Sequence, residues 1–210
     1  MLTLVDVRAA LTRPLPGSSA QMLMATRPRS APADLPPGSP RRIAAVLILL
    51  YPRLGELYFP LTRRSDRLTS HRGQVALPGG GVEPNDETLW ETALRESAEE
   101  IGSGTSAVSF LGRLTPLYIP HSNFEINPFI GYTEARPALR PNPEEVAEIF
   151  DVPLGTLLDE STKHVEDWTW QGRNTIVPLY RYNDQVIWGA TAMMLSELEE
   201  MLRSSVDARS

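Results

Sequence analysis

Glu96, Glu99 and Glu100 stand at i, i+3 and i+4, a spacing that turns three carboxylates to one side of an α-helix at about 100° per residue. Trp90, Leu94, Ala98 and Ile101 fall on the opposite side of the same predicted helix. Three like charges so close destabilise an isolated helix by about 0.2–0.5 kcal/mol per pair unless a cation neutralises them. A hard divalent ion such as Mg2+ or Mn2+ suits carboxylate oxygens and leaves its remaining positions to water and phosphate oxygens. An isolated ExxEE is more often a solvated acidic face, so its surroundings decide.

Read outward, the triad sits in a longer pattern: Gly81, five residues, Glu87, seven residues, Arg95-Glu96, two residues, Glu99-Glu100, one residue, Gly102. At ordinary residue usage such a coincidence is on the order of a one-in-a-million accident. The pattern resembles the Nudix box, the signature loop–helix–loop of Nudix hydrolases. Ser97 and Ser103 stand where that family usually has aliphatic residues, which are packing positions and not ligands. The resemblance implies an α+β Nudix fold, a mixed β-sheet sandwiched between α-helices. It also implies hydrolysis of a diphosphate linked to a further moiety, with Mg2+ or Mn2+ held by Glu96, Glu99 and Glu100. Glu99, Arg95 and Glu87 are the expected catalytic set, Arg95 positioning the glutamates through charge-assisted bonds and Glu87 bracing the loop. Gly79, Gly80 and Gly81 let the backbone turn tightly and approach the cluster closely.

Just upstream, Leu61-Thr62-Arg63-Arg64-Ser65 leads through Gly73 to Pro78-Gly79-Gly80. This stretch is similar to the additional motif of the coenzyme A pyrophosphatase branch, LLTxR[SA]x3Rx3Gx3FPGG, without a gap. Pro60, Thr69 and Leu77 replace its first leucine, second arginine and phenylalanine. The lost arginine matters most, and Arg67 or Arg72 can supply a similar charge. The resemblance implies cleavage of coenzyme A or an acyl derivative to adenosine 3',5'-bisphosphate and 4'-phosphopantetheine. Arg64, Ser65, Arg67, Arg72, Gly79 and Gly80 are then the expected substrate-binding residues, and Arg63 joins a basic cluster suited to the additional ribose phosphate. Glu144 and Glu145 are each either an extra ligand or general base, or a surface carboxylate. Rival readings are a Nudix hydrolase of ADP-ribose or NADH, and a non-catalytic Nudix-fold nucleotide sensor.

These residues need a scaffold. The apolar run Ile43–Tyr51 reads as a buried strand, followed by a turn at Pro52–Gly55 and a second strand over Glu56–Thr62. A helix is predicted over 87–101, ended by Gly102. Strands are predicted at 108–116, 126–134 and 174–181, with shorter ones near 74–77, 165–170 and 185–188 and one after Glu145. Helices are predicted at 2–11, 153–158 and 191–203. In the last, Ala190, Met193, Met194, Leu198, Met201 and Leu202 recur at core spacing. Residues 1–41 read as an N-terminal helix and a Pro-rich connector, and 42–210 as the hydrolase domain.

Composition narrows the alternatives. The 210 residues carry 20 Lys+Arg against 26 Asp+Glu, a net charge of −6, and contain no cysteine. Thiolate metal sites, disulfides and a cysteine nucleophile are excluded, and a broad basic surface for nucleic acid is disfavoured. The nine-residue apolar run is shorter than the roughly 20 residues of a membrane span. A cytoplasmic protein acting on a small nucleotide is expected, without nucleic acid or membrane, and a homodimer is compatible with this. His71, His121 and His164 lack ligand spacing, and no G-x-S-x-G, P-loop or GxGxxG motif occurs. Trp168, Trp170 and Trp188 with Tyr180 and Tyr182 read as core aromatics before they read as a base-stacking platform.

Overall fold

A computed structural model describes residues 1–29, 38–68, 70–104, 107–170 and 172–207. Strand β1 (Arg42–Arg53) is the centre of an eight-stranded mixed sheet. It pairs antiparallel with β2 (Glu56–Arg64) and β4 (Gly79–Gly81), and parallel with β7 (Phe124–Tyr132). Leu54 and Gly55 both take positive φ, 51° and 85°, the backbone that a two-residue hairpin turn requires. β3 (Val75–Ala76) and β8 (Val146–Pro153) flank β2, while β5 (Ser109–Arg113) and β6 (Leu117–Ile119) pair with β7. β9 (Lys163–Trp170), β10 (Arg173–Tyr182) and β11 (Gln185–Trp188) form a second, antiparallel sheet.

The alternation of β1 explains the sandwich. Ala45, Leu47, Leu49 and Tyr51 point to one face, where α3 (Leu89–Ile101) covers them with Leu89, Trp90, Ala93 and Leu94. Val46, Ile48 and Leu50 point to the other, beneath α4 (Gly189–Asp207), which buries Met193, Met194, Leu198, Met201 and Leu202 as its spacing predicts. Each fully buried Leu or Ile contributes about 1.5–3 kcal/mol of transfer free energy. α1 (Leu4–Leu11) and α2 (Ser18–Gln21) pack on α4, and Val7, Ala10 and Met24 belong to the same core cluster.

Two elements differ from expectation. The predicted strand over 108–116 breaks after Arg113, because Thr115 turns its backbone N–H and Oγ1 to the buried carboxylate of Glu197, at 3.2 and 2.6 Å. The predicted helix at 153–158 is a 3-10 turn, Leu154–Leu158, too short for i→i+4 bonding to repay helix nucleation. Residues 30–37 of the Pro-rich connector, and Thr69, lie outside the described residues. No described helix is long and apolar enough to cross a membrane.

Candidate active site

α3 begins where Thr88 caps it. The Thr88 hydroxyl accepts from the Glu91 N–H at 3.2 Å and Glu91 accepts from the Thr88 N–H at 3.0 Å, a reciprocal capping box. Gly102 ends it with a left-handed φ of 66°. Beyond it, the N–H groups of Arg140 and Asn142 donate to the carbonyls of Ile101 and Glu100 at 2.8 and 2.9 Å. These bonds satisfy acceptors that a helix C-terminus leaves open, and they tie the chain leading to Glu144 and Glu145 against the acidic face.

Arg95 is the hub of that face. Its Nε and Nη2 donate to the two carboxylate oxygens of Asp86, each at 2.9 Å, and Nη2 also reaches the Gly81 carbonyl at 2.9 Å. Its Nη1 lies 3.0 Å from Glu96 and 3.3 Å from Glu99. This bidentate clamp holds Asp86 well below the usual carboxylate range, helped by the Glu83 N–H, and Asp86 raises Arg95 in turn. Asp86 is the member of this network that spacing alone does not single out. Its one local signal is the Pro84-Asn85-Asp86 turn, in which its side chain accepts from the Glu83 N–H at 2.8 Å. Glu87 lies just before the helix with its side chain exposed, and only its backbone N–H joins the capping network, at 2.8 Å from Glu91. Asp86 therefore braces the loop where Glu87 is expected to.

Glu100 points inward and is only 3% exposed. Burial pushes its carboxyl up to about 7, against the pull of the Gly79 N–H and Arg64, while Glu145 and Glu96 push it further. Burial likewise raises Glu96. Gly79 donates to Glu100 at 3.2 Å. With φ at 150°, a Cβ on Gly79 would lie 2.3 Å from the Ala45 carbonyl oxygen, and one on Gly80 would lie 2.4 Å from a Glu96 oxygen. The two glycines are thus required for different reasons, one by β1 and the other by the acidic cluster.

The arginine loop divides. Arg64 turns inward, its Nη1 3.9 Å from Glu100, and its buried Nε has no hydrogen-bond partner among the described residues. Arg63 and Arg67 are paired with Glu148 and Glu144, and Arg72 donates from Nε to the Leu68 carbonyl. Ser65 is buried, its N–H donating to the Glu145 carbonyl at 2.8 Å and its Oγ accepting from the Arg67 N–H at 3.3 Å. The structure therefore gathers Glu96, Glu99, Glu100, Arg95, Arg64, Gly79 and Gly80, and holds Arg67 and Arg72 in bonds at the loop surface. Glu144 is committed to Arg67, whereas the charge of Glu145 acts on both Glu96 and Glu100.

Among the described residues, no three His, Cys, Asp or Glu side chains stand grouped as a ready ligand set. The guanidiniums of Arg95 and Arg64 sit against the carboxylates and supply the countercharge. The donors fit a hard dication nonetheless: they are all carboxylate oxygens, and two of them are raised by desolvation, the state of acids short of positive charge. His164 lies elsewhere, with Lys163, Glu199 and Arg203 around a recess of about 300 Å3. Trp168 and Trp188 pack edge to face at 5.0 Å, and Tyr180 is buried with its hydroxyl 2.7 Å from Glu199, which are structural roles.

A family model of the NUDIX domain matches residues 40–182. The chain is 42% identical over 161 residues to the uncharacterized Nudix hydrolase NudL of Yersinia pestis (strain Pestoides F), covering 77% of this chain and 80% of that protein. The same figures hold for NudL of Yersinia pseudotuberculosis serotype O:3 (strain YPIII). Among solved structures, the Nudix hydrolase RenU from M. smegmatis superposes with a TM-score of 0.53 at 18% identity, over 81% of this chain and 88% of that one. A MutT/nudix family protein from Enterococcus faecalis gives 0.52 at 18% identity, over 99% and 76%. These two likenesses concern the fold.

Proposed function

The chain belongs to the Nudix hydrolase family, and from that membership we propose that it cleaves the diphosphate of coenzyme A or its derivatives, giving adenosine 3',5'-bisphosphate and 4'-phosphopantetheine. The observation that carries the reading is Arg64. The arginine of the LTxRS stretch turns toward the buried Glu100, and its Nε is a buried donor without an acceptor among the described residues. A phosphate oxygen in the cleft would supply that acceptor, and an orphaned buried donor costs about 1–3 kcal/mol until it is met.

Nudix hydrolases generally need a divalent ion, usually Mg2+ or Mn2+, and here Glu96, Glu99 and Glu100 would hold it. Once bound, such an ion neutralises phosphate oxygens and lowers the pKa of a water molecule. The chain's own residues do the rest. Arg95, fixed by Asp86, holds Glu96 and Glu99 in place. Arg64 donates to the diphosphate, and Gly79 and Gly80 let the backbone lie close beneath it. Glu145 is the additional carboxylate beside the cleft and the candidate to take a proton from water. A cytoplasmic setting, where coenzyme A is abundant, suits this reading.

Incubating the pure protein with Mg2+ or Mn2+ and coenzyme A, acyl-coenzyme A, ADP-ribose, NADH and diadenosine polyphosphates tests it. Coenzyme A or its thioesters are expected among the best substrates by kcat/KM. A clear preference for ADP-ribose or NADH would overturn the assignment to coenzyme A and leave the family chemistry standing.

A further inference from the structure

Two histidines without ligand spacing meet at one corner of the cleft end of the sheet. His71, in the loop between β2 and β3, has a φ of 57° and its Nδ1 is 2.8 Å from the Gln74 side-chain oxygen. His121 lies in the turn between β6 and β7, and the two rings are 6.2 Å apart, tilted by 51°. Arg29 reaches the same corner, with a guanidinium nitrogen 3.4 Å from the Tyr118 carbonyl on β6.

This corner belongs to the cleft end. β1 starts there, Arg42 opposite Phe124, and β2 finishes there with Arg64. The Gln74 carbonyl accepts from the Arg64 N–H at 3.0 Å, and the Arg64 side chain faces Glu100. The loop that carries His71 is therefore bonded to the end of β2 from which Arg64 projects toward Glu100.

The corner gathers two imidazoles beside one guanidinium. His121 is held below its ordinary pKa by burial, then by the fields of His71 and Arg29, and no acidic group among the described residues acts on it. The loop arginines differ, since Arg63 and Arg67 are already paired with Glu148 and Glu144. Each imidazole and the guanidinium can present N–H donors, and the ligand that suits the set is an anion able to accept from all three, whose charge favours the protonated imidazoles. A phosphomonoester has three acceptor oxygens and nearly two negative charges at neutral pH, and one tetrahedral group can bridge rings at this separation through different oxygens.

We propose that His71, His121 and Arg29 form a subsite for the phosphomonoester on the substrate's nucleoside, the 3'-phosphate of coenzyme A, and so set a preference for coenzyme A over its dephospho form. The choice of that ester rests on the coenzyme A reading of the cleft. The groups that distinguish it are then His71, His121 and Arg29, and not the acid-paired Arg63 and Arg67 of the loop.

Calorimetric titration of the full chain with adenosine 3',5'-bisphosphate, adenosine 5'-monophosphate and inorganic phosphate reads the subsite directly. The wild type is expected to bind the bisphosphate at least about tenfold more tightly than the monophosphate. His71→Asn/His121→Gln abolishes that ratio and Arg29→Ala narrows it, asparagine being chosen because it tolerates positive φ. In turnover, the kcat/KM ratio of coenzyme A to 3'-dephospho-coenzyme A falls in the same variants, through KM. Equal binding of the two adenosine phosphates by the wild type, or a bisphosphate preference that survives in the double variant, overturns the proposal. Inorganic phosphate binding as tightly as the bisphosphate would assign the corner to a free anion and also overturn it. If the wild type hydrolyses neither coenzyme A form, the reading of the cleft fails, and the calorimetric ratios still decide the subsite.

Discussion

At Gly80 the acidic cluster leaves no space for a methyl group, since the atoms such a group would meet are the carboxylate of Glu96, the far end of a flexible side chain. Gly80→Ala is therefore expected to fold with a near-normal Tm while lowering kcat by about 100-fold, the scale on which a misplaced catalytic group is felt. Gly79→Ala meets the β1 backbone instead and is expected to lower Tm outright. Thermal melts with steady-state kinetics separate the two, and equal Tm losses would refute the distinction. Asp86 gives a second test at this scale. The Arg95 clamp depresses its carboxyl below the unfolded value, so its stabilisation is full above about pH 4 and is lost as pH falls through the depressed folded value. Urea midpoints measured from pH 5 downward should show Asp86→Asn losing less stability than the wild type. Parallel acid limbs would place the titration elsewhere. Arg95 and the three glutamates were legible in the sequence because their spacing lies within one helix. Asp86 was not, since its role depends on a turn that swings it back onto Arg95. The acids that neutralise Arg63 and Arg67 were hidden for a related reason: Glu148 and Glu144 come from distant chain that only folding brings alongside.

The helix that carries the acids is fixed at both ends, and its far end departs from the family pattern in a concerted way. Ser97 and Ser103 are buried with their hydroxyls 2.8 Å apart, so the two polar replacements satisfy each other. A buried hydroxyl stripped of its partner costs about 1–3 kcal/mol, whereas replacing both partners can be nearly neutral. Ser97→Ala and Ser103→Ala are each expected to destabilise, and the double variant to cost less than the sum of the singles. Strict additivity in chemical denaturation would show that the pair does not couple. The boundaries of this helix and of the β1–β2 hairpin were readable because caps and turn residues are local signals. The break between β5 and β6 was not, because it follows from Glu197, a residue 82 positions away from Thr115.

On the scale of the molecule, that same carboxylate ties the N-terminal segment to the body. Glu197 is fully buried and accepts from the Gly17 N–H at 3.1 Å, the Gln21 amide at 2.8 Å and Thr115. Glu197→Gln turns two donors toward a ring of donors and is expected to cost about 2–3 kcal/mol. Hydrogen exchange should speed up first in residues 4–24 and at Thr115. Unchanged exchange there would mean that apolar packing on α4 suffices to hold the segment. The reading as a whole depends on the inward face of α3 acting with a divalent ion on a phosphoanhydride. Its most direct measurement is the hydrolysis of coenzyme A across a Mn2+ titration, with products identified by mass, in the wild type and in Glu100→Gln. The account predicts saturable, metal-dependent release of adenosine 3',5'-bisphosphate and 4'-phosphopantetheine, with kcat in the variant lower by at least about 100-fold and its far-ultraviolet spectrum unchanged. Turnover indifferent to the ion, or a Glu100→Gln variant working at near-normal rate, would contradict it.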